Sequence, residues 1–468
     1  MSRADIAQAV AFTRGATWLA SEFRPRVNFL ARAALPPEDS TPSAAVSQGR
    51  HGMTTPLPRN RNYRILWSGM FLSELAGEIA YIAFPLLVLA HGGSAAAVSG
   101  VAAVLAGART LVSLPAGALA DRVDRKRVMV ATQGVRTVAM LSVAVAVLLG
   151  NCPLWHILLV AVIEGAAAGI FVPAENAALP QVVPESMLAQ AVARNAARPF
   201  AALLIGPALA GFLFGLHEVL PFTLNTSALA VSFVALAALH LPRRAAVPKA
   251  DAEAEAGTAP RRGGFGPLLR MPIIRATMAW IIGVNLAFHT LVVLVLIVSG
   301  EDNVAPGQMG LMMTCFGAGG LVGALIADRL HAAALSPGVL VIGSTWVFAA
   351  VAGVMAYASR GVPLGILLGV AAMAMPVANT TVITCQLSSV PDELRGRLSG
   401  LVGLGSELAA TAGPVIAGVL SLSTQDSAVR ILGAAALLVV VAVGATLSPT
   451  LRRLTPARPS AARQPTHS

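Results

Sequence analysis

Twelve stretches of about twenty residues, nearly free of charge, recur along this chain and restrict its fold more than any motif does. They lie near 65–90, 95–120, 128–150, 154–175, 195–216, 221–241, 274–299, 308–328, 337–358, 362–386, 398–421 and 429–448. A bilayer core about 30 Å thick is crossed by about 20 apolar residues in a helix, and inside lipid each segment must satisfy its own backbone polar groups. Even spacing and short connections make these twelve spans one polytopic all-α bundle. Composition agrees, with 56% hydrophobic and 12% charged residues against about 25% charged in soluble domains.

Lys and Arg set an orientation. If both termini are cytoplasmic, 27 of the 33 basic residues fall on that side, in the first 64 residues, in 121–127, in 242–275, at Arg329, Arg395 and Arg397, and in the tail. The opposite loops, HGGS, NCPL, EDNVAPGQ and STQDS, are nearly free of bases, with only Arg360 and Arg430 on that side. This is the positive-inside pattern. It accounts for the net charge of +11 without nucleic acid, since no basic patch interleaved with aromatics exists. Cys152, Cys315 and Cys385 show no pairing or metal spacing. No HExxH, GxxxxGK[ST] or GxSxG pattern is present, so neither an enzyme nor a nucleotide-driven pump is expected, and no cofactor or metal.

Residues 1–64 are expected to form a cytoplasmic arm, with Met53 an alternative start because a short basic lead there precedes the first span. Residues 242–273 are polar, rich in Pro and Gly and mixed in charge, a cytoplasmic linker between halves 65–241 and 274–448; 449–468 form a tail. The halves share landmarks at one offset. Asp121 and Asp328, Val183-Pro184 and Val390-Pro391, and Pro207 and Pro414 are each 207 residues apart. Two six-span halves in parallel register form a transporter plan with the substrate site between them near the bilayer midplane.

The charged knot GALADRVDRKRVM then resembles the loop 2–3 signature of the major facilitator superfamily, G-x-L-a-D-r-x-G-r-k-x. Gly117, Leu119, Asp121, Arg122, Arg125 and Lys126 match, and Asp124 stands where the pattern has glycine. DRVDRKRVM, the first span RNYRILWSGMFLSELAGEIA and FVPAENAALPQVVPESMLAQA, taken as the connection of spans 4 and 5, resemble the drug- and siderophore-exporting branch, of macrolide-efflux and enterobactin-exporter type. LLIGPALAG resembles the exporter signature G-x-x-x-G-P-x-x-G-G, with Ala202 and Ala210 in place of glycines. The resemblance implies a major facilitator fold and alternating access. It assigns Asp121, Arg122, Arg125, Lys126 and Arg127, with Gly117, Leu119 and a weaker copy at Asp328, to a cytoplasmic gate whose Asp121 faces the start of span 11 near Leu398 to Gly400. It also implies helix-packing roles for Gly206, Pro207, Gly211, Gly413, Pro414 and Gly418. Proline removes a backbone donor and bends a helix, and glycine admits a neighbouring backbone.

Each charge inside a span costs roughly 2.5–3.5 kcal/mol on insertion scales and faces a cavity or a partner. The candidates are Glu74, Glu78, Arg109, Arg136, Glu164, His289 and Glu407. Glu78, nearest the middle of its span, is the leading proton carrier, with Glu74, Glu164, His289 and Glu407 behind it. Arg109 and Arg136 are ion-pair candidates, for instance with Glu74 or Glu78. Glu407 lies close to the cytoplasmic end of the 398–421 window. The expectation is a monomeric proton antiporter in a bacterial plasma membrane that exports an amphipathic small molecule, a drug, siderophore or secondary metabolite. Its partners are that substrate, protons and the lipid bilayer. A same-fold importer or a lipid flippase is the alternative; a membrane-embedded enzyme or sensor would need a catalytic cluster or an output domain.

Overall fold

Backbone groups in lipid find partners only in helices or closed barrels, and the described chain takes the helical solution. The computed structural model describes residues 60–240, 265–333, 335–359 and 361–454. Twelve helices there are long and apolar enough to cross a membrane. They are α1 Arg61–Ala90, α2 Ala95–Arg122, α3 Arg125–Leu148, α4 Leu154–Val182, α5 Leu188–Leu216 and α6 Leu220–Ala238, then α7 Pro272–Glu301, α8 Pro306–Ala332, α9 Pro337–Met355, α10 Val362–Ser389, α11 Asp392–Ser423 and α12 Ser427–Leu447. The arm before Asn60, most of the linker, Arg360 and the tail after Leu454 lie outside the described residues. The last linker residues form a short helix, Gly266–Arg270, directly before α7.

Several helix starts are written locally. Asn60 accepts from the Tyr63 amide at α1, Ser336 from Val339 at α9, and Asp426 from Ala428 and Val429 at α12. Pro272, Pro306 and Pro337 occupy first turns, where no intrahelical donor is lost. Asp124, the departure from the resembled motif, caps α3 by accepting from the Arg127 amide at 3.1 Å.

The helices are longer than the apolar windows. α4 continues through Pro173 and Pro180 to Val182, so FVPAENAALP is helix and the connection to α5 shrinks to residues 183–187, with a single 3-10 turn at Glu185–Met187. α11 begins at Asp392, which puts Glu407 near the middle of a 32-residue helix. The expectation that Glu407 sits near an end is thereby corrected.

Packing repeats along the chain. α1 packs on α5 and α6, α2 on α4, and α3 on α4 and α6; in the same order α7 packs on α11 and α12, α8 on α10, and α9 on α10 and α12. Small residues make the closest of these seams. Gly165 lies against the Leu105 carbonyl and Gly169 against the Arg109 backbone where α4 meets α2; Gly369 lies against Cys315 where α10 meets α8. Among the described residues, only α2·α11 and α5·α8 make extensive seams between the first six spans and the last six. Large apolar side chains such as Leu111, Leu148, Phe212 and Val440 stay exposed on the outside of the bundle, where lipid would cover them.

The two ends of the bundle differ. At the end carrying the α1–α2, α5–α6, α7–α8 and α11–α12 loops, Gly300 packs on Leu89, Gly418 on Ser99, and Gly211 on the backbone of Pro306 and Gly310. At the other end the row Gly396, Gly400 and Gly403 on α11 is exposed, with no described residue within 4 Å of where a Cβ would stand.

Candidate functional site

A cavity of about 670 Å³ lies between the first six and the last six spans, walled by α1, α2, α3, α4, α5, α7, α8 and α11. Its size suits a drug-sized molecule. The row of exposed glycines on α11 leads to Glu407 on the cavity wall, so the cavity opens towards the end that bears the α2–α3 and α10–α11 loops.

Most spans that cross the wall place an ionisable residue at it. On α3, Arg136 donates from Nε to Glu164 Oε1 of α4 at 2.9 Å, from Nη1 to Ser73 Oγ of α1 at 2.5 Å, and to the Gln133 side chain at 3.3 Å. Arg136 and Glu164 are each only 2% exposed, yet Glu164 Oε2 is buried without a partner. Arg109 of α2 reaches Glu407 of α11 at 3.3 Å, joining the two sets of six spans across the cavity. Thr110 hydroxyl contacts Thr411 Oγ1 at 2.9 Å and the Glu407 carbonyl at 3.2 Å in the same place.

A second cluster escaped the sequence reading. Arg198 of α5 donates from Nε and Nη2 to Glu74 of α1 at 2.8 and 3.0 Å, and pairs with Glu175 of α4. Glu175 and Arg198 were passed over because Glu175 lay where the span 4–5 connection was expected and Arg198 stood in the first turn of a window drawn from 195. A helical reading of FVPAENAALPQV would have found Glu175, the last residue of the expected 154–175 window.

The anticipated ion pairs are therefore re-partnered: Arg136 takes Glu164, Arg109 takes Glu407, and neither takes Glu74 or Glu78. Long guanidinium side chains reach the neighbouring helix; they do not follow proximity in sequence. Glu78 lines the cavity and, among the described residues, has no hydrogen bond or ion pair. His289 lines it too, its ring edge-on to Phe288 with centroids 5.1 Å apart.

The predicted packing glycines hold these two residues. A methyl group on Gly206 would stand 2.5 Å from Glu78 Cβ, and one on Gly413 would stand 2.6 Å from His289 Cβ. α1 and α7 are both 30 residues long, and Glu78 and His289 occupy the same position in each. Each half thus sets the glycine of its Gly-Pro step against a titratable residue at one equivalent place. Pro207 and Pro414 follow on the cavity wall.

In the gate motif, Arg125 Nη1 donates to the Ala177 carbonyl of α4 at 2.6 Å, Lys126 is half-buried and Arg127 is exposed. The side chains of Leu119, Asp121, Arg122 and Asp328, and the placement of Gly117 against its neighbours, lie outside the described residues.

The family model described as transmembrane secretion effector matches residues 52–465. An uncharacterised MFS-type transporter, YfiS of Bacillus subtilis, is 29% identical over 46% of this chain and 50% of its own length. The enterobactin exporter EntS of Escherichia coli is 26% identical over 81% of this chain and 92% of its own. Macrolide efflux protein A of Streptococcus pyogenes is 26% identical over 33% of this chain and 38% of its own, so the match spans half or less of two of these three relatives. Among solved structures, the nucleoside transporter NupG superposes with a TM-score of 0.64 at 14% identity, covering 83% of this chain and 98% of that one. A bacterial homolog of the human lysosomal transporter Spinster, inward-facing and unoccupied, gives 0.62 at 13% identity, covering 85% and 98%. Fold, repeated packing and the length of the family match agree, and the chain belongs to the transmembrane secretion effector family of major facilitator transporters, multi-pass membrane proteins and not enzymes.

Proposed function

We propose that this transporter exports an amphipathic small molecule by proton antiport, through alternating access of the cavity between residues 65–241 and 274–448. The end with the basic loops is the cytoplasmic one, so the open cavity faces inward, the state in which an exporter collects its substrate. The direction rests on the efflux-type relatives and on the two Gly-Pro steps. The observation that carries proton coupling is the state of Glu78. Among the cavity's carboxylates, Glu74, Glu164, Glu175 and Glu407 are each held by an arginine, and Glu78 alone has none among the described residues. A carboxyl without a fixed counter-ion can exchange a proton without breaking a salt bridge.

Reconstitution in proteoliposomes with an imposed pH gradient and a panel of dyes tests this. The wild type should move dye against its gradient until a protonophore collapses ΔpH. Glu78→Gln should lose that uphill flux while dye binding stays measurable, because the amide keeps size and polarity but cannot titrate. Normal uphill flux in Glu78→Gln would move the role to Glu74, Glu164, His289 or Glu407. Uphill flux in the opposite sense would make the protein an importer.

A further inference from the structure

The two walls of the cavity were cut from one template and then differ in chemistry. α1 and α7 align position for position over 30 residues, which carries Glu74 onto Asn285 and Glu78 onto His289. The 207-residue offset of Asp121 and Asp328 carries Arg109 of α2 onto Phe316 of α8. All six residues line the cavity. Where one half presents charge, the other presents an amide, an imidazole and a phenyl ring. Phe288 extends that second wall, its ring stacked on Phe316 with centroids 5.1 Å apart. At these paired positions a molecule between the walls meets Glu78 on one side and the Phe288–Phe316 platform on the other, although Tyr81 and Phe171 also line the first wall and Glu407, paired with Arg109, lines the second.

The sign of the charge follows from counting at the site. Five carboxylates, Glu74, Glu78, Glu164, Glu175 and Glu407, line the cavity; the arginines that hold them are Arg109, Arg136 and Arg198. Arg198 serves two acids, and among the described residues Glu78 has no arginine. An anion would have to take Arg109 from Glu407, whereas a cation finds a carboxylate already free.

We infer that the substrate class is a lipophilic cation, its positive group at Glu78 of α1 and its aromatic body on Phe288 and Phe316 of α7 and α8. This rests on the exporter reading above for the transport direction only. A ring platform opposite a carboxylate holds such a molecule at both ends, by charge and by cation–π and apolar contact.

Two dyes that share a xanthene body and differ in charge, cationic rhodamine 123 and anionic fluorescein, test the assignment. Their binding to the purified full chain in nanodiscs is followed by fluorescence anisotropy at pH 7 with no gradient. Rhodamine 123 should bind at least about tenfold tighter than fluorescein. Glu78→Gln should weaken rhodamine about tenfold and fluorescein hardly at all; Glu78→Asp should restore most of the difference. Phe316→Ala, which leaves every charge in place, should weaken rhodamine without abolishing its preference over fluorescein. Equal binding of both dyes, tighter fluorescein, or no rhodamine binding to the wild type overturns the cationic class. Unchanged rhodamine affinity in both Glu78→Gln and Phe316→Ala overturns the assigned position. Because binding is read without a gradient, the two readings fail separately. Uphill export of an anionic or neutral dye would leave the exporter standing and remove the cation, and rhodamine binding without gradient-driven flux would do the reverse.

Discussion

Arg198 ties α1, α4 and α5 together behind the cavity wall through Glu74 and Glu175. It is 6% exposed and neutralises Glu175, which is 4% exposed, while reaching Glu74 on a third helix. Breaking a buried pair by removing one partner leaves an uncompensated charge and costs about 3–5 kcal/mol. Arg198→Gln should therefore lower the melting temperature of the purified protein and its yield in membranes. Glu175→Gln should cost less, since Arg198 keeps Glu74. Equal melting temperatures for wild type and Arg198→Gln would make the cluster ornamental. Sequence reading did find Glu74, Glu78, Arg136, Glu164 and His289, because charge inside an apolar window is conspicuous. It missed Arg198 and Glu175, and mispaired Arg136, because partner choice depends on how helices are turned towards one another. Asp124 shows the same limit. As a motif position it is a mismatch, and as a backbone acceptor it is an ordinary N-cap.

Among helices, existence and order were legible and ends were not. Hydropathy marks the part of a helix that lies in lipid, so α4, α5, α10 and α11 overrun their windows where they leave the apolar layer and continue on polar residues. Proline misled at Pro173 and Pro180, where loop-like sequence stays helical; neighbouring helices and local adjustments supply the partners a proline removes. The glycine landmarks carried more. Gly211 and Gly418 share the 207-residue offset, and so do their neighbours Pro306 and Ser99, so one contact is built twice, in α5·α8 and in α2·α11. The α5 copy is the tighter, backbone against backbone. Gly211→Ala should force α5 from α8 at the closed end and raise labelling there by a membrane-impermeant thiol reagent, read at Leu89→Cys in a chain whose native cysteines are replaced. Gly418→Ala, which faces the Ser99 side chain with Cβ at 3.0 Å, should do so less. Equal labelling with and without Gly211→Ala would mean that the seam is not what shuts this end.

At the scale of the whole molecule, the proposed alternating access would make this structure one half of a cycle. Leu89·Gly300, Ser99·Gly418 and Gly211·Gly310 shut one end, while the exposed row Gly396, Gly400 and Gly403 leaves the other parted. To reverse this, α2 and α11 must close at the basic-loop end. The start of α11 lies at Asp392, not near Leu398 to Gly400 where the apolar window put it, and we propose that Asp121 then meets that first turn, where unpaired amides and the helix dipole favour an anion by about 0.3–1 kcal/mol. Positive-inside anchoring explains Arg122, Arg125, Lys126 and Arg127, but it gives no reason for an acid among them. Part of that basic run is already committed within its own half, since Arg125 binds the Ala177 carbonyl of α4. The second copy keeps Asp328 but follows it with RLHAAAL, and its His331 contacts Thr381 of α10 at 2.8 Å, also within its own half. Asp121→Asn should therefore shrink the outward-open population about two- to fivefold, the factor that 0.3–1 kcal/mol sets at 25 °C. Asp328→Asn should change it less, and neither should lower membrane insertion. Labelling at Leu89→Cys on α1 reads that population, because Leu89 packs on Gly300 while their end is shut. Labelling unchanged by Asp121→Asn would reduce the charged knot to a signal for topology, with the gate held by other contacts.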